Sequence, residues 1–423
     1  MLVVRVGVAR RLDDARHVGA QRPQALRRLR AHGEQPLARG LWVERVAGVL
    51  GWCRHHPPQR SGRGETVPDG DSCPRPPHDS GGPRWKSGTA RPPRGHRADS
   101  PSRWATDGET TGVGMSTVVV FDEFGGPEGL RVDDEEVGAP GPGQVRVANR
   151  VVGVNPADLK RLAGAFGGRV PGVLGFEAAG VVDAVGPDVP DLAPGDEVVW
   201  HGTGAQRELS LVRADHVRRK PSSVPFDQAA VLPVAAATAF SALVQADTGE
   251  GDVVLVHGAS GGVGSAAVQI ATALGARVVG TASPANHDYV RDLGATPVAY
   301  GPGLVDAVRA LPDGLDEVSV VVDLVGTEET VAATVALLGE HLSPADADDP
   351  PSAVTVVGTD ASRAAGIADK VDAKGALDEV LALAEDGRLR AEISARFPLA
   401  EAAEALRLVA EGHVRGKVVL DIV

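Results

Sequence analysis

Several residue types that carry common chemistries are scarce in this 423-residue chain. Its two cysteines are Cys53 and Cys73, so residues 115–423 contain neither a disulfide nor a thiolate. For that stretch, the absence excludes zinc sites built on soft cysteine ligands and fits a reducing, cytoplasmic compartment. The two tyrosines are Tyr289 and Tyr300, so no phenol precedes position 289. Nowhere do 18 apolar residues follow one another, which excludes a membrane-spanning helix on length alone. The opening Met1-Leu2-Val3-Val4 is broken by Arg5 and by Arg10-Arg11 before a signal-peptide core can form.

What is present is unevenly spread. Residues 1–114 hold 20 basic residues against 11 acids, a net charge of +9, while residues 115–423 hold 23 against 45, a net charge of −22. The first part is crowded with Arg, Pro, Gly and Ser and loses periodicity after about residue 50. Such a stretch cannot bury enough apolar surface to offset its chain entropy. The chain's second and last methionine, Met115, stands directly before the first orderly strand pattern. Residues 1–114 are therefore expected to be a disordered or non-native N-terminal extension, upstream sequence read from a start assigned too early. A genuine basic arm for nucleic acid or an anionic membrane is the alternative; the preferred reading has neither partner.

The most informative stretch is residues 252–280. An apolar, β-branched run over 252–257 reads as a strand buried on both faces. Gly258, Gly261, Gly262 and Gly264 follow at once, and Val263, Ala267, Ile270, Ala271 and Leu274 then recur at helical spacing up to Gly275. A second β-branched run at 277–279 closes a βαβ unit. Strand, glycine turn and helix together aim backbone N–H groups and a helix dipole at a pyrophosphate. The turn reads Ala259-Ser260-Gly261-Gly262-Val263-Gly264, with alanine in the first glycine position of the usual fingerprint.

From Met115 to about residue 235, short strands are expected at 117–121, 144–152, 178–185, 196–200 and 206–212, separated by Gly and Pro turns, which suggests a barrel or sandwich. Asn155-Pro156-Ala157-Asp158 looks like a helix start. After residue 235, strands at 253–256, 277–280, 297–299, 318–323 and 353–357 alternate with helical patterns, as a parallel sheet requires. Helices at 376–385 and 400–411 and a strand at 417–422 follow.

Six blocks occur in the order found in one family. They are G-V-N-P-A-D-L-K (153–160), P-G-V-L-G-F-E-A-A-G-V-V-D-A-V-G (171–186), P-G-D-E-V (194–198), A-A-V-L-P-V-A-A-A-T-A (229–239), H-G-A-S-G-G-V-G (257–264) and G-H-V-R-G-K-V-V-L (412–420). From Met115 onward the chain resembles the zinc-free quinone oxidoreductase branch of the medium-chain dehydrogenase/reductase superfamily. The resemblance implies an α/β Rossmann domain plus a GroES-like β-barrel domain. The expected limits are 115–235 for the GroES-like catalytic domain, 236–365 for the Rossmann NADP-binding domain, and 366–423 for a segment returning to the catalytic domain. One departure is S-P-A-D-A-D-D-P-P at 343–351, where relatives carry a short glycine turn; a longer solvated loop is expected there.

The zinc alcohol dehydrogenases of the superfamily have Gly-His-Glu where this chain has Gly175-Phe176-Glu177. With no cysteine available either, the resemblance implies a metal-free reaction and leaves Glu177 a structural carboxylate. At the end of the second Rossmann strand, the first acid is Asp288. A 2′-phosphate can be received by Ser283, Asn286 and His287, so NADPH is expected over NADH; Asn286 also reads as a helix cap. Cofactor-binding residues are expected at Thr238, Ser260, Gly261, Gly262, Val263, Gly264, Ser283, Asn286 and His287.

By resemblance, Asn155 borders the nicotinamide, with Asp158 and Lys160 one turn on. Lys160 is the charged candidate for stabilising the developing substrate oxygen, against a surface lysine as the plain alternative and solvent as the alternative proton source. The expected activity is NADPH-dependent hydride transfer to a small-molecule quinone or α,β-unsaturated carbonyl. Two other readings stay open: an enoyl-thioester reductase resembling polyketide synthase domains, and a non-catalytic NADPH-binding protein like the lens crystallins related to the family. Relatives are often dimers, so a homodimer is expected, joined through a Rossmann edge strand at 353–357.

Overall fold

The computed structural model describes residues 113–343 and 350–422. The expectations for residues 1–112, and for most of the acidic, Pro-rich stretch at 343–351, lie outside the described residues. Where β-branched residues run without interruption, strands form whose alternate side chains enter different cores. β1 (Gly114–Phe121), β2 (Leu130–Val137), β3 (Gln144–Val154), β4 (Gly172–Val173), β5 (Glu177–Val185), β6 (Glu197–His201), β7 (Leu209–Arg213) and β8 (Val217–Arg219) build the first half. β1 pairs with β2 and β4, while β3 is long enough to pair with β5, β7 and, at its far end, the last strand, Lys417–Asp421. Val145, Val147, Val152, Val198 and Trp200 fill the interior of this barrel.

The second half is a parallel sheet of β9 (Val253–His257), β10 (Arg277–Ala282), β11 (Ala295–Ala299), β12 (Val320–Asp323), β13 (Ala353–Thr355) and β14 (Ala368–Asp369), in the order β11-β10-β9-β12-β13-β14. All five residues of β9 are buried. Val254 and Val256 enter one core, while Val253 and Leu255 enter the core on the other face, as a central parallel strand demands. The chain then returns to the barrel through β15 (Ile393–Pro398) and β16 (Lys417–Asp421); β16 runs parallel to β15 and antiparallel to β3.

Several details differ from the sequence reading, which also left β4, β8, β14 and β15 unmarked. β2 was not anticipated: its Leu-Arg-Val-Asp-Asp-Glu-Glu-Val sequence is acidic and largely exposed, and among the described residues it pairs only with β1. The expected strand at 206–212 begins later, at Leu209; Gln206 and Glu208 instead make isolated backbone bonds to β1. The expected edge strand at 353–357 is not an edge, because β14 pairs with β13 on its outer side.

Candidate functional site

The barrel and the parallel sheet meet beside the helix that follows β9. That helix, α3 (Gly262–Ala273), lies beyond α1 (Pro156–Leu162) and α2 (Ala237–Gln245) in the chain and has Gly261 at its N-cap. Its first intrahelical bond runs from the Ser265 N–H to the Gly261 carbonyl at 2.8 Å. The N–H groups of Gly262, Val263 and Gly264 precede that bond and face out of the helix N-terminus, where the dipole favours an anion. Gly264 is needed for packing, since a Cβ there would lie 2.1 Å from the Gly258 carbonyl oxygen. Gly261 is different. Its φ is −76°, and a Cβ would meet only the Gly258 carbonyl oxygen, at an ordinary 3.6 Å. The protein's own packing does not require glycine at 261, whereas close approach of a phosphate to the backbone does.

The other expected cofactor residues gather beside this turn. Asn286 Nδ2 lies 3.4 Å from Ser260 Oγ and 3.3 Å from Ser283 Oγ, linking the end of β10 to the turn. Asn286 stands at a helix N-cap position, yet its side chain makes no capping bond. The His287 ring folds back to the Ala282 carbonyl at 3.3 Å. Asp288, the first acid after β10, is exposed and paired with Arg291. Thr238, in α2, is half-buried, and its hydroxyl makes no hydrogen bond among the described residues.

On the barrel side, Asn155 stands at the N-cap of α1 and Pro156 opens the helix. Asp158 reaches back to accept from Asn155 N–H at 2.8 Å through one oxygen and from Gly175 N–H at 2.7 Å through the other. Burial pushes the Asp158 carboxyl up to about 7, opposed by those two N–H bonds and by the Lys417 ammonium. The sequence places Asp158 among the catalytic candidates. Both of its oxygens are taken by backbone N–H groups and it has no exposure, so it fixes the start of α1 against Gly175. Lys160, the charged candidate, is exposed and has no ionic partner among the described residues. Phe166, which is 56% exposed, meets Phe176 edge-on at 6.3 Å.

Sequence reasoning missed Lys417, the first residue of β16. It is buried, and its Nζ donates to the Val154 carbonyl at 3.1 Å, to Glu177 Oε1 at 3.0 Å and to Asn155 Oδ1. Asn155 Nδ2 donates to the same Glu177 oxygen at 2.9 Å, and the other Glu177 oxygen accepts from Val234 N–H at 2.7 Å. Glu177 thus ties the barrel to the π-helical turn Leu232–Ala236 that leads into α2, in keeping with the structural carboxylate expected. Arg415 was missed too. Its guanidinium stacks over the Tyr289 ring at 5.1 Å and pairs with Glu392 at 2.9 Å. The neighbouring Gly416 N–H donates to the Ser260 carbonyl at 2.9 Å.

This pairing of a GroES-like barrel with a glycine-turn sheet agrees with the comparisons. Residues 141–222 match the alcohol dehydrogenase GroES-like domain, and residues 293–420 match the zinc-binding dehydrogenase domain. The quinone oxidoreductase of Pseudomonas aeruginosa is 34% identical over 326 residues, covering 72% of this chain and 99% of that protein. The chain belongs to the quinone oxidoreductase branch of the medium-chain dehydrogenase/reductase superfamily. Within that branch, this chain is also similar to the NADPH complex of Escherichia coli quinone oxidoreductase. There the TM-score is 0.63 and identity 25%, covering 72% of this chain and 99% of the other. The spectinabilin polyketide synthase system protein NorB of Streptomyces orinoci is 38% identical over 298 residues, 68% of this chain. The chain spans only 14% of that protein, and 5% of polyketide synthase GfsB from Streptomyces halstedii. Among the described residues, no group of three or more His, Cys, Asp or Glu side chains is placed to hold a metal ion. No described helix is long and apolar enough to cross a membrane.

Proposed function

We propose that the protein is an NADPH-dependent, zinc-independent oxidoreductase that delivers hydride to a quinone or an α,β-unsaturated carbonyl. The observation that carries this reading is Gly261, whose bare backbone leaves room for a pyrophosphate at the mouth of α3. The residues fit such a group: the N–H groups of Gly262, Val263 and Gly264 receive it, with Ser260 alongside. Ser283, Asn286 and His287 offer uncharged or weakly basic contacts to a 2′-phosphate, and Arg415 adds a cation on Tyr289. The nearest acid along the chain, Asp288, is engaged by Arg291, so its charge is compensated. Thr238 keeps a free hydroxyl for the carboxamide, and Asn155 borders the ring.

When bound, the dihydronicotinamide supplies the hydride. The chain's own contribution is to place the acceptor and to stabilise the oxygen on which charge develops. Lys160 is the charged group free to do so, and solvent serves otherwise. Zinc independence rests on donor chemistry: the region has no thiolate, and the residue before Glu177 is a phenylalanine, which cannot coordinate.

The exposed Phe166 and its partner Phe176 favour a second reading. Phe166 lies in sequence between Lys160 and Arg169, exposed cations without an acidic partner among the described residues. An exposed aromatic ring with cations close in the chain suits the planar acyl group and the phosphate of an enoyl thioester. NADPH oxidation measured against quinones, enones and enoyl thioesters tests both readings. Faster thioester turnover that falls with added salt selects the second. NADPH binding with no oxidation across the panel favours a non-catalytic binding protein and sinks the enzyme reading.

A further inference from the structure

The pair Gly416-Lys417 touches both ends of the candidate site at once. On the backbone, Gly416 donates to the Ser260 carbonyl, and Gly261 and Gly416 form a parallel bridge. One residue on, the Lys417 side chain crosses into the barrel. Its stem packs against the turn so closely that a Cβ on Gly262 would lie 2.7 Å from Lys417 Cδ. Its ammonium spends all three protons on Val154 O, Asn155 Oδ1 and Glu177 Oε1.

Both ends of the Asn155 amide are thereby fixed: Oδ1 by Lys417, and Nδ2 by Glu177. That pairing is the chemically consistent one, since an ammonium needs an acceptor and a carboxylate needs a donor. Glu177 in turn grips Val234 N–H, four residues before Thr238. A buried ion pair is a poor source of net stability compared with apolar packing of the same volume. What it does supply here is direction: one charged head joins the glycine turn, Asn155 and the approach to Thr238.

We propose that Lys417 is a positioning residue which couples the pyrophosphate end of the nucleotide site to its nicotinamide end. It holds Asn155 and the segment leading to Thr238 at a fixed offset from the glycine turn. The proposal rests on the cofactor reading above. It concerns the relative placement of the two ends and assigns Lys417 no contact with the reacting atoms.

The test uses the full chain, with Lys417→Met, which keeps the stem and removes the ammonium, and the double variant Glu177→Gln/Lys417→Met, which also removes the stranded carboxylate. Calorimetry measures NADPH and 2′-phospho-ADP-ribose, the latter carrying the pyrophosphate but no nicotinamide. Urea unfolding measures stability, and kcat is taken in parallel. The expected result is that the double variant recovers stability lost by the single one and keeps its affinity for the fragment within about twofold. Its preference for NADPH over the fragment should still fall about tenfold, with a matching loss in kcat. A double variant with wild-type stability and an unchanged preference overturns the proposal and leaves Lys417 a structural residue. Failure of the wild-type chain to bind either nucleotide overturns the cofactor reading and the proposal with it; binding of both without turnover removes only the enzymatic reading.

Discussion

The two ends of the candidate site are made by opposite means. At the glycine turn, the groups offered to a ligand are backbone N–H groups, gathered within residues 258–264 by a strand and a helix adjacent in the chain. At the barrel end they are side chains: Asn155, Asp158, Glu177 and Lys417 sit within one buried cluster, although Asn155 and Lys417 are 262 positions apart. The turn therefore depends on what is missing from its residues, a Cβ. The barrel cluster depends on what is present, since each member leaves a buried partner uncompensated when removed.

The sharpest way to break the comparison is at Glu177. Glu177→Ala leaves the Lys417 ammonium buried without its carboxylate and frees Val234 N–H, and is expected to cost about 3–5 kcal/mol in urea unfolding. A cost near zero would mean the cluster relaxes as readily as a surface pair. Asp158 provides a pH test of the same side. Its carboxyl titrates near 3.8 when unfolded and near 7 in the fold, so between those values the native state keeps a proton that the unfolded chain has released. The associated stability is present below about pH 4 and is lost as pH rises through about 7, on the order of 4 kcal/mol for a shift of this size. Comparing unfolding across that range in the wild type and in Asp158→Asn should show a shallower decline in the variant; parallel slopes would assign the pH dependence elsewhere.

On the turn side the expected effects are smaller and separate stability from binding. Gly261→Ala has room in the fold and should change stability by less than about 0.5 kcal/mol. Its NADPH affinity should fall about tenfold, or about 1.4 kcal/mol, in a fluorescence titration. Unchanged affinity would remove the pyrophosphate from the turn. Arg415→Ala should lower the preference for NADPH over NADH by about fivefold, because the cation is partly exposed and shared with Glu392. An equal loss for both nucleotides would place Arg415 away from the 2′-phosphate.

The same contrast governs what the sequence could reveal. β9, α3 and β10 announce themselves because period, glycine spacing and β-branching act over a few neighbouring residues, and Ser260, Ser283 and Asn286 are then brought together by the short βαβ path. Lys417 gave no such signal. A lysine heading Val-Val-Leu reads as a solvated strand end, and its partners become visible only once β16 is seen to pair with β3. Arg415 was hidden in the same way. β2 escaped because Asp133, Asp134, Glu135 and Glu136 are poor strand formers in isolation, though charges of this kind suit a strand with one open edge. Placing the sheet edge at 353–357 failed because β14 is two residues long, too short to leave a pattern.

The position of β16 in the chain also bears on how this protein is made. Asn155, Glu177 and the whole parallel sheet are synthesised before residue 417 leaves the ribosome. Lys417 follows Asn155 by 262 positions and Glu177 by 240, so the charge balance of this cluster waits on the last strand to be made.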